Sequence, residues 1–148
     1  SPARRVSMGL DSIFGIAGSA LNAQTTRMNT VASNLANANT VAPTEQEAFR
    51  AKRSVFKALV EQQLSAQDAP YQGGVQIKSI NDDPAPVRKM FEPGNPLADK
   101  DGFVYASNVN EMTEMVEMMA ASRSYQNNVE VVNTARQLMM RTLDITRS

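Results

Sequence analysis

The stretch LDSIFGIAGSALNAQTTRMNTVASNLANANT, Leu10 to Thr40, decides the architecture. Phe14, Ala17, Leu21, Gln24, Met28, Val31, Leu35 and Ala38 step alternately by three and four residues, the seam of a packed helix. Asp11 or Ser12 can cap its start, and Ala42-Pro43 stops it. At the usual rise per residue, such a helix is roughly 40 Å long. Between Asp11 and Glu45 the only charged residue is Arg27. A surface helix on a small monomer normally carries a charged face. Here that face is Ser, Thr, Asn, Gln, Gly and Ala, side chains that can be enclosed without the desolvation cost of full charges. The helix is therefore expected to be surrounded by other protein, most simply in an assembly. A helix buried inside a monomeric hairpin is the alternative.

Outward from this helix the character changes. Residues 1–9 are expected to form a flexible extension. Ser1 to Ser7 contain an arginine pair but no apolar run long enough for a signal peptide follows, so any export is expected to proceed without signal cleavage. Residues 41–107 hold six of the seven prolines and four of the seven glycines, which marks a different kind of structure. Alternation over Gly74–Ile80 and Val87–Phe91 predicts strands, and Asp101-Gly102 before Phe103-Val104-Tyr105 reads as a hairpin turn. Glu92-Pro93-Gly94-Asn95-Pro96 is turn punctuation, and Arg50–Val60 reads as a strand or a short helix. A small β-rich inserted domain follows from these signals.

Residues 108–148 return to helix. Asn108 with Glu111 resembles a capping box, and Met112, Val116 and Met119 lie on one stripe that Tyr125, Val129, Val132, Met139 and Leu143 continue. Glu111, Glu114 and Glu117 at the start and Arg136, Arg141 and Arg147 at the end complement the helix dipole. Eight of the nine methionines fall in or at the start of the two terminal helices, which suits deformable contacts. The expected fold class is α+β: two long terminal helices pair as a coiled-coil-like hairpin, with the β-rich domain inserted between them.

Composition narrows the functions. Fifteen positive charges balance fifteen negative ones, so neither nucleic acid nor an anionic membrane is an expected partner. With no cysteine and no histidine, the usual zinc site and nucleophile–base pair cannot be built. Asp82-Asp83 reads as a loop, and Asp99-Lys100-Asp101-Gly102 fails as a calcium loop because Leu97 and Asn108 fall where acidic ligands are needed. Gly73-Gly74 lacks a phosphate-cradle frame, and Arg50, Lys52 and Arg53 read as a solvated basic face near Glu45 and Glu47. No catalytic residue, metal or cofactor is expected, and the chain is not expected to be an enzyme.

Three stretches carry a family resemblance. Asn29 to Thr40, with Ser33-Asn34-Leu35-Ala36-Asn37 and Asn39-Thr40 at its centre, resembles the signature of the axial proteins of the bacterial flagellum, the rod and hook subunits. Pro93-Gly94-Asn95-Pro96-Leu97-Ala98-Asp99 with Gly102-Phe103-Val104 and Asn108-Val109-Asn110 is a second match, and Ala121 to Val131 with Asn133-Thr134 a third. The last two are most similar to the C-type proximal-rod branch. Many axial proteins place a Gly-Tyr/Phe-Lys element after Asn-Thr, whereas Val41 to Gln46 intervene here before Phe49, as in the longer proximal-rod form.

The resemblance implies a structural subunit of the proximal rod, spanning the periplasm and polymerising helically to transmit torque. It implies export through the flagellar type III apparatus. The implied partners are further copies, other proximal- and distal-rod proteins and the membrane-ring junction protein, with no direct membrane insertion. The expected assembly interface is Phe14, Leu21, Met28, Val31, Ser33, Asn34, Leu35, Asn37, Asn39 and Thr40 from the first helix and its end. From the second helix it takes Met112, Val116, Met119, Arg123, Tyr125, Val129, Val132, Met139 and Leu143. Competing readings are another axial subunit, a wall-cleaving enzyme and a soluble helical adaptor. A wall-cleaving enzyme needs a positioned carboxylic acid, and Glu45, Glu47, Glu61 and Glu92 stand in no recognisable frame.

Overall fold

A computed structural model describes residues 2–58 and 74–147. The element order is α1 (Pro2–Ala36), β1 (Val41–Ala42), β2 (Lys52–Ala58), β3 (Val75–Asp82), β4 (Arg88–Phe91), β5 (Phe103–Ala106) and α2 (Glu111–Arg147). The α+β class holds, with helices at both ends and strands between them. Two departures concern α1. It begins at Pro2 rather than near Leu10, so residues 2–9, expected as an extension, are helical. Proline is tolerated in a first helical turn, and nothing breaks the helix after it. It stops at Ala36 rather than Thr40. Beyond it the backbone bonds tighten to three-residue ones, Ala38 N to the Leu35 carbonyl (3.3 Å) and Thr40 N to the Asn37 carbonyl (3.2 Å). Asn37 Nδ2 and Thr40 Oγ1 add side-chain bonds to the Ser33 and Asn37 carbonyls.

The chain divides into two compact units. One unit comprises residues 1–26, 56–78 and 121–148. Its buried residues are mostly alanines, Ala17 and Ala23 from α1 and Ala121 and Ala135 from α2, with Leu10 and Gln24 of α1 beside them. Ile13 of α1 and Asn127, Val131, Thr134 and Leu138 of α2 line one shallow groove. The start of β3 is tied to α1 by the Val75 amide, which donates to Ser19 Oγ at 3.0 Å.

The other unit comprises residues 27–55 and 79–120. Here the two helices run antiparallel, as side-chain pairs show. Arg27 meets Glu117 at 2.7 Å, Asn34 meets Glu114 at 3.0 Å, and just past the helix Asn39 meets Glu111 at 3.4 Å. Numbers rise on one side as they fall on the other. Among the described residues, β1, β5 and β4 form an antiparallel sheet in that order, with Val41 opposite Ala106 and Phe91 opposite Phe103. Ala38, Ala51 and Val109 form its apolar centre, with Phe49 packed against them. A separate two-stranded sheet pairs β2 with β3. The Arg50–Val60 run is thus a strand over Lys52–Ala58; residues 59 and 60, like Gly73 and Glu61, lie outside the described residues.

Two local expectations change. Asp101-Gly102 is not a two-residue hairpin: Phe91 and Phe103 are paired, so the connection runs over 92–102 and Gly102 closes it at φ 88°. Asn110, not Asn108, caps α2, accepting the Thr113 amide at 3.1 Å. Asn108 is engaged elsewhere. Its Oδ1 accepts the Ala51 amide at 2.7 Å, and its Nδ2 donates to the Asp83 and Ala85 carbonyls at 3.1 and 2.8 Å.

Candidate assembly surface

An asparagine inside a helix competes with the backbone and normally faces water. Asn34 does the opposite and is fully buried. Its Nδ2 donates to the Lys52 carbonyl (2.9 Å) and to Glu114 Oε2 (3.0 Å), while its Oδ1 accepts the Lys52 amide (2.8 Å). Glu114 is also fully buried. Arg53 Nη1 donates to its other oxygen, and Arg53 Nε lies 3.6 Å from Asp83. Lys52 in turn pairs with Asp82, and Arg50 donates to the Ala85 carbonyl at 3.1 Å. The basic run 50–53 is therefore paired rather than a solvated face, because a carboxylate buried on α2 requires a cation.

Two expected interface residues are corrected by this packing. Asn34 and Val31 are enclosed by their own chain and serve the fold, so neither presents a surface to another molecule. Phe14, Leu21, Met28, Leu35 and Asn37 are half-buried; Ser33, Asn39 and Thr40 are exposed. On α2, Tyr125, Val129, Val132 and Met139 are half-buried, while Arg123 and Leu143 are exposed.

Met112, Val116 and Met119 stand apart, at 74%, 62% and 67% exposure. They do not continue the stripe of Tyr125 and Val132. The inward line on α2 runs through Glu114 and Ala121, with Asn128 and Ala135 following at the same seven-residue spacing. A glutamate and two alanines carry no strong apolar periodicity, so the sequence pattern of α2 is dominated by the methionines. Met115, half exposed, was missed from the expected interface, though it stands one helical turn from both Met112 and Met119. A run of exposed methionine and valine on a helix marks an interaction surface better than scattered apolar residues do. Methionine is well suited to the irregular contacts such a surface makes. In the other unit, α2 also exposes single apolar side chains, among them Met140, Leu143 and Ile145.

Among the described residues no group of three or more His, Cys, Asp or Glu side chains is placed to hold a metal ion, and no helix is long and apolar enough to cross a membrane.

The chain is similar to known proteins along most of its length. The family described as "Flagella basal body rod protein" matches residues 14–44, and the one described as "Flagellar basal body rod FlgEFG protein C-terminal" matches residues 100–145. The flagellar basal-body rod protein FlgC of Yersinia enterocolitica is 51% identical over 138 residues, covering 93% of this chain and 98% of the relative. FlgC of Salmonella typhimurium is 47% identical over 138 residues, again 93% and 98%. FlgC of Buchnera aphidicola subsp. Baizongia pistaciae is 32% identical over 142 residues with the same coverage.

Proposed function

The chain belongs to the FlgC family of flagellar basal-body rod proteins, and from that premise we propose how it acts as a structural subunit of the proximal rod. It polymerises helically, the outward faces of its two terminal helices seating neighbouring rod subunits. The partners are further copies, other rod proteins and the membrane-ring junction protein. The rod so built spans the periplasm and transmits torque, and the subunit reaches it through the flagellar export apparatus without signal cleavage. The role is architectural, not enzymatic, and needs no cofactor.

One observation carries this reading: Met112, Val116 and Met119 are mostly solvent-exposed on a long helix. Covering them requires another molecule, since each exposed apolar side chain gains about 1.5 kcal/mol or more on full burial. Helices packed on several neighbours also resist twist better than subunits joined through one loop, which suits a drive shaft.

The test is incorporation of a Met112→Gln, Val116→Gln, Met119→Gln variant into basal bodies of cells lacking the native subunit. The variant is expected to be exported and to fold, since the three side chains touch little of their own chain, yet to be absent from purified rods. Normal incorporation and motility would remove this surface from the assembly.

A further inference from the structure

The burial of Glu114 is the least expected feature of α2. A glutamate one turn inside a helix would ordinarily sit in water. Here its two oxygens are taken by side chains from two other segments, Asn34 of α1 and Arg53 of β2. Asn34 also grips the Lys52 backbone at both its amide and its carbonyl. Asp83 stands beside Arg53, Lys52 pairs with Asp82, and Arg27 with Glu117. The cluster thus joins four segments of the chain: α1, β2, the end of β3 and α2.

The apolar packing around it discriminates poorly between helix registers. The apolar cluster of the same unit is built on Ala38 and Ala51 with Val109, and alanine fits many offsets. Glu114 does not. A slip of α2 by one turn moves its carboxylate about 5.4 Å along the axis, out of reach of Asn34 and Arg53, and leaves a charge buried without partners. A single buried polar residue fixing register is a known use of such groups in paired helices.

We infer that Glu114, held by Asn34 and Arg53, is the register pin of the helix pair, and that it couples attachment of strand β2 to correct pairing. The Asn34 amide group is shared between Glu114 and the Lys52 carbonyl. It is therefore oriented toward β2 only while α2 is in its native register. The two helices and the strand lock together or not at all.

The test uses cysteine pairs in the full, naturally cysteine-free chain. Arg27→Cys with Glu117→Cys reports the native register; Arg27→Cys with Thr113→Cys reports a slip of one turn. The first pair also removes the Arg27–Glu117 ion pair, so register then rests on the pin. Only the native pair is expected to be joined by a short bis-maleimide in the parent chain. Arg27 and Glu117 meet through the ends of long side chains, a gap for such a linker rather than for a direct disulfide. In a Glu114→Leu background, which keeps the position filled and apolar, the slipped pair is expected to cross-link at least tenfold more than in the parent. Hydrogen exchange at the Lys52 amide should accelerate at least tenfold, while the Val104 amide keeps its protection. Unchanged cross-linking and unchanged Lys52 exchange would overturn the inference. Should Glu114→Leu fail to fold, Asn34→Ser decides by the same two readouts.

Discussion

The side chain of Asn34 and the backbone of Lys52 exchange two hydrogen bonds, 2.9 Å from Nδ2 to the carbonyl and 2.8 Å from the amide to Oδ1. A helical side chain thereby supplies what a neighbouring strand would supply at the start of β2. The amide is specifically required, because only a group with donor and acceptor side by side can do both. Asn34→Asp keeps the shape, loses the donor and sets a carboxylate against Glu114. A loss of about 2 to 3 kcal/mol in unfolding free energy is expected from the unsatisfied Lys52 carbonyl and the new repulsion. Urea denaturation measures it; a change under about 0.5 kcal/mol, the level of an ordinary surface substitution, would contradict the role.

Arg53 has a different part. It reaches Glu114 from a partly exposed position, so it closes the cluster against water. Arg53→Ala leaves a buried carboxylate with Asn34 alone and is expected to cost about 3 kcal/mol. Combining Arg53→Met with Glu114→Met should recover most of that loss, since the charge and its partner leave together. If the double variant were no more stable than Arg53→Ala, the cost would lie in packing rather than in the unpaired charge.

Gly102 sits at φ 88°, and a Cβ there would lie 2.8 Å from the Phe91 ring and 3.2 Å from Pro93. The backbone conformation disfavours any side chain, and the Phe91 ring and Pro93 would have to shift to admit one. Gly102→Ala is expected to destabilise the β4–β5 connection by about 1 to 3 kcal/mol. Gly18 is the contrasting case, since a Cβ added there meets nothing within 4 Å in its own chain. Gly18→Ala should raise the stability of the free subunit by about 1 kcal/mol through helix propensity. If a neighbour's backbone approaches at Gly18 in the rod, the same variant will assemble poorly. Thermal melting and rod incorporation read the two effects separately.

Asp99 organises the end of the 92–102 connection. Its Oδ1 accepts the Phe103 amide (2.9 Å) and the Asp101 amide (3.0 Å), and Tyr105 donates to Oδ2 at 3.4 Å. The Phe103 bond is the chief reason its carboxyl stays below the ordinary value of 3.8. The sign follows from linkage. A carboxyl with a lowered folded pKa contributes stability that is present above the unfolded value and lost as pH falls through the folded one. In an acid titration followed at the Phe103 amide by NMR, the midpoint should therefore lie below 3.8. A midpoint at or above that value would mean the turn does not hold the charged form.

On α1 the alternate steps of three and four made the buried line legible. Ala17, Gln24 and Val31, with Ala38 just past the helix end, recur every seven residues and all four are buried. The alternation over 74–80 and 87–91 likewise became β3 and β4. On α2 the line was hidden. Its core positions are Glu114, Ala121 and Ala135, while Met112, Met115, Val116 and Met119 point outward. Hydrophobic periodicity assumes that apolar means inward, and these four residues break that assumption. The partnership of Asn34, Glu114 and Arg53 was not legible either, because each residue alone has the profile of a surface position. The capping role passed from Asn108 to Asn110 for a similar reason: Asn108 is committed to bonds with Ala51, Asp83 and Ala85 that only the folded chain brings near.

The absence of cysteine from the chain allows a direct test of the central claim, that the outward face of α2 is covered in the assembled rod. A single thiol is placed by Met119→Cys and, as a control, by Lys100→Cys on an exposed turn. Maleimide labelling rates are then compared between the free subunit and purified basal bodies. The account predicts rapid labelling of both in the free subunit, and at least tenfold slower labelling at position 119 than at 100 in the rod. Equal rates at position 119 in the two states would leave the methionine face open to solvent in the assembly and contradict the account.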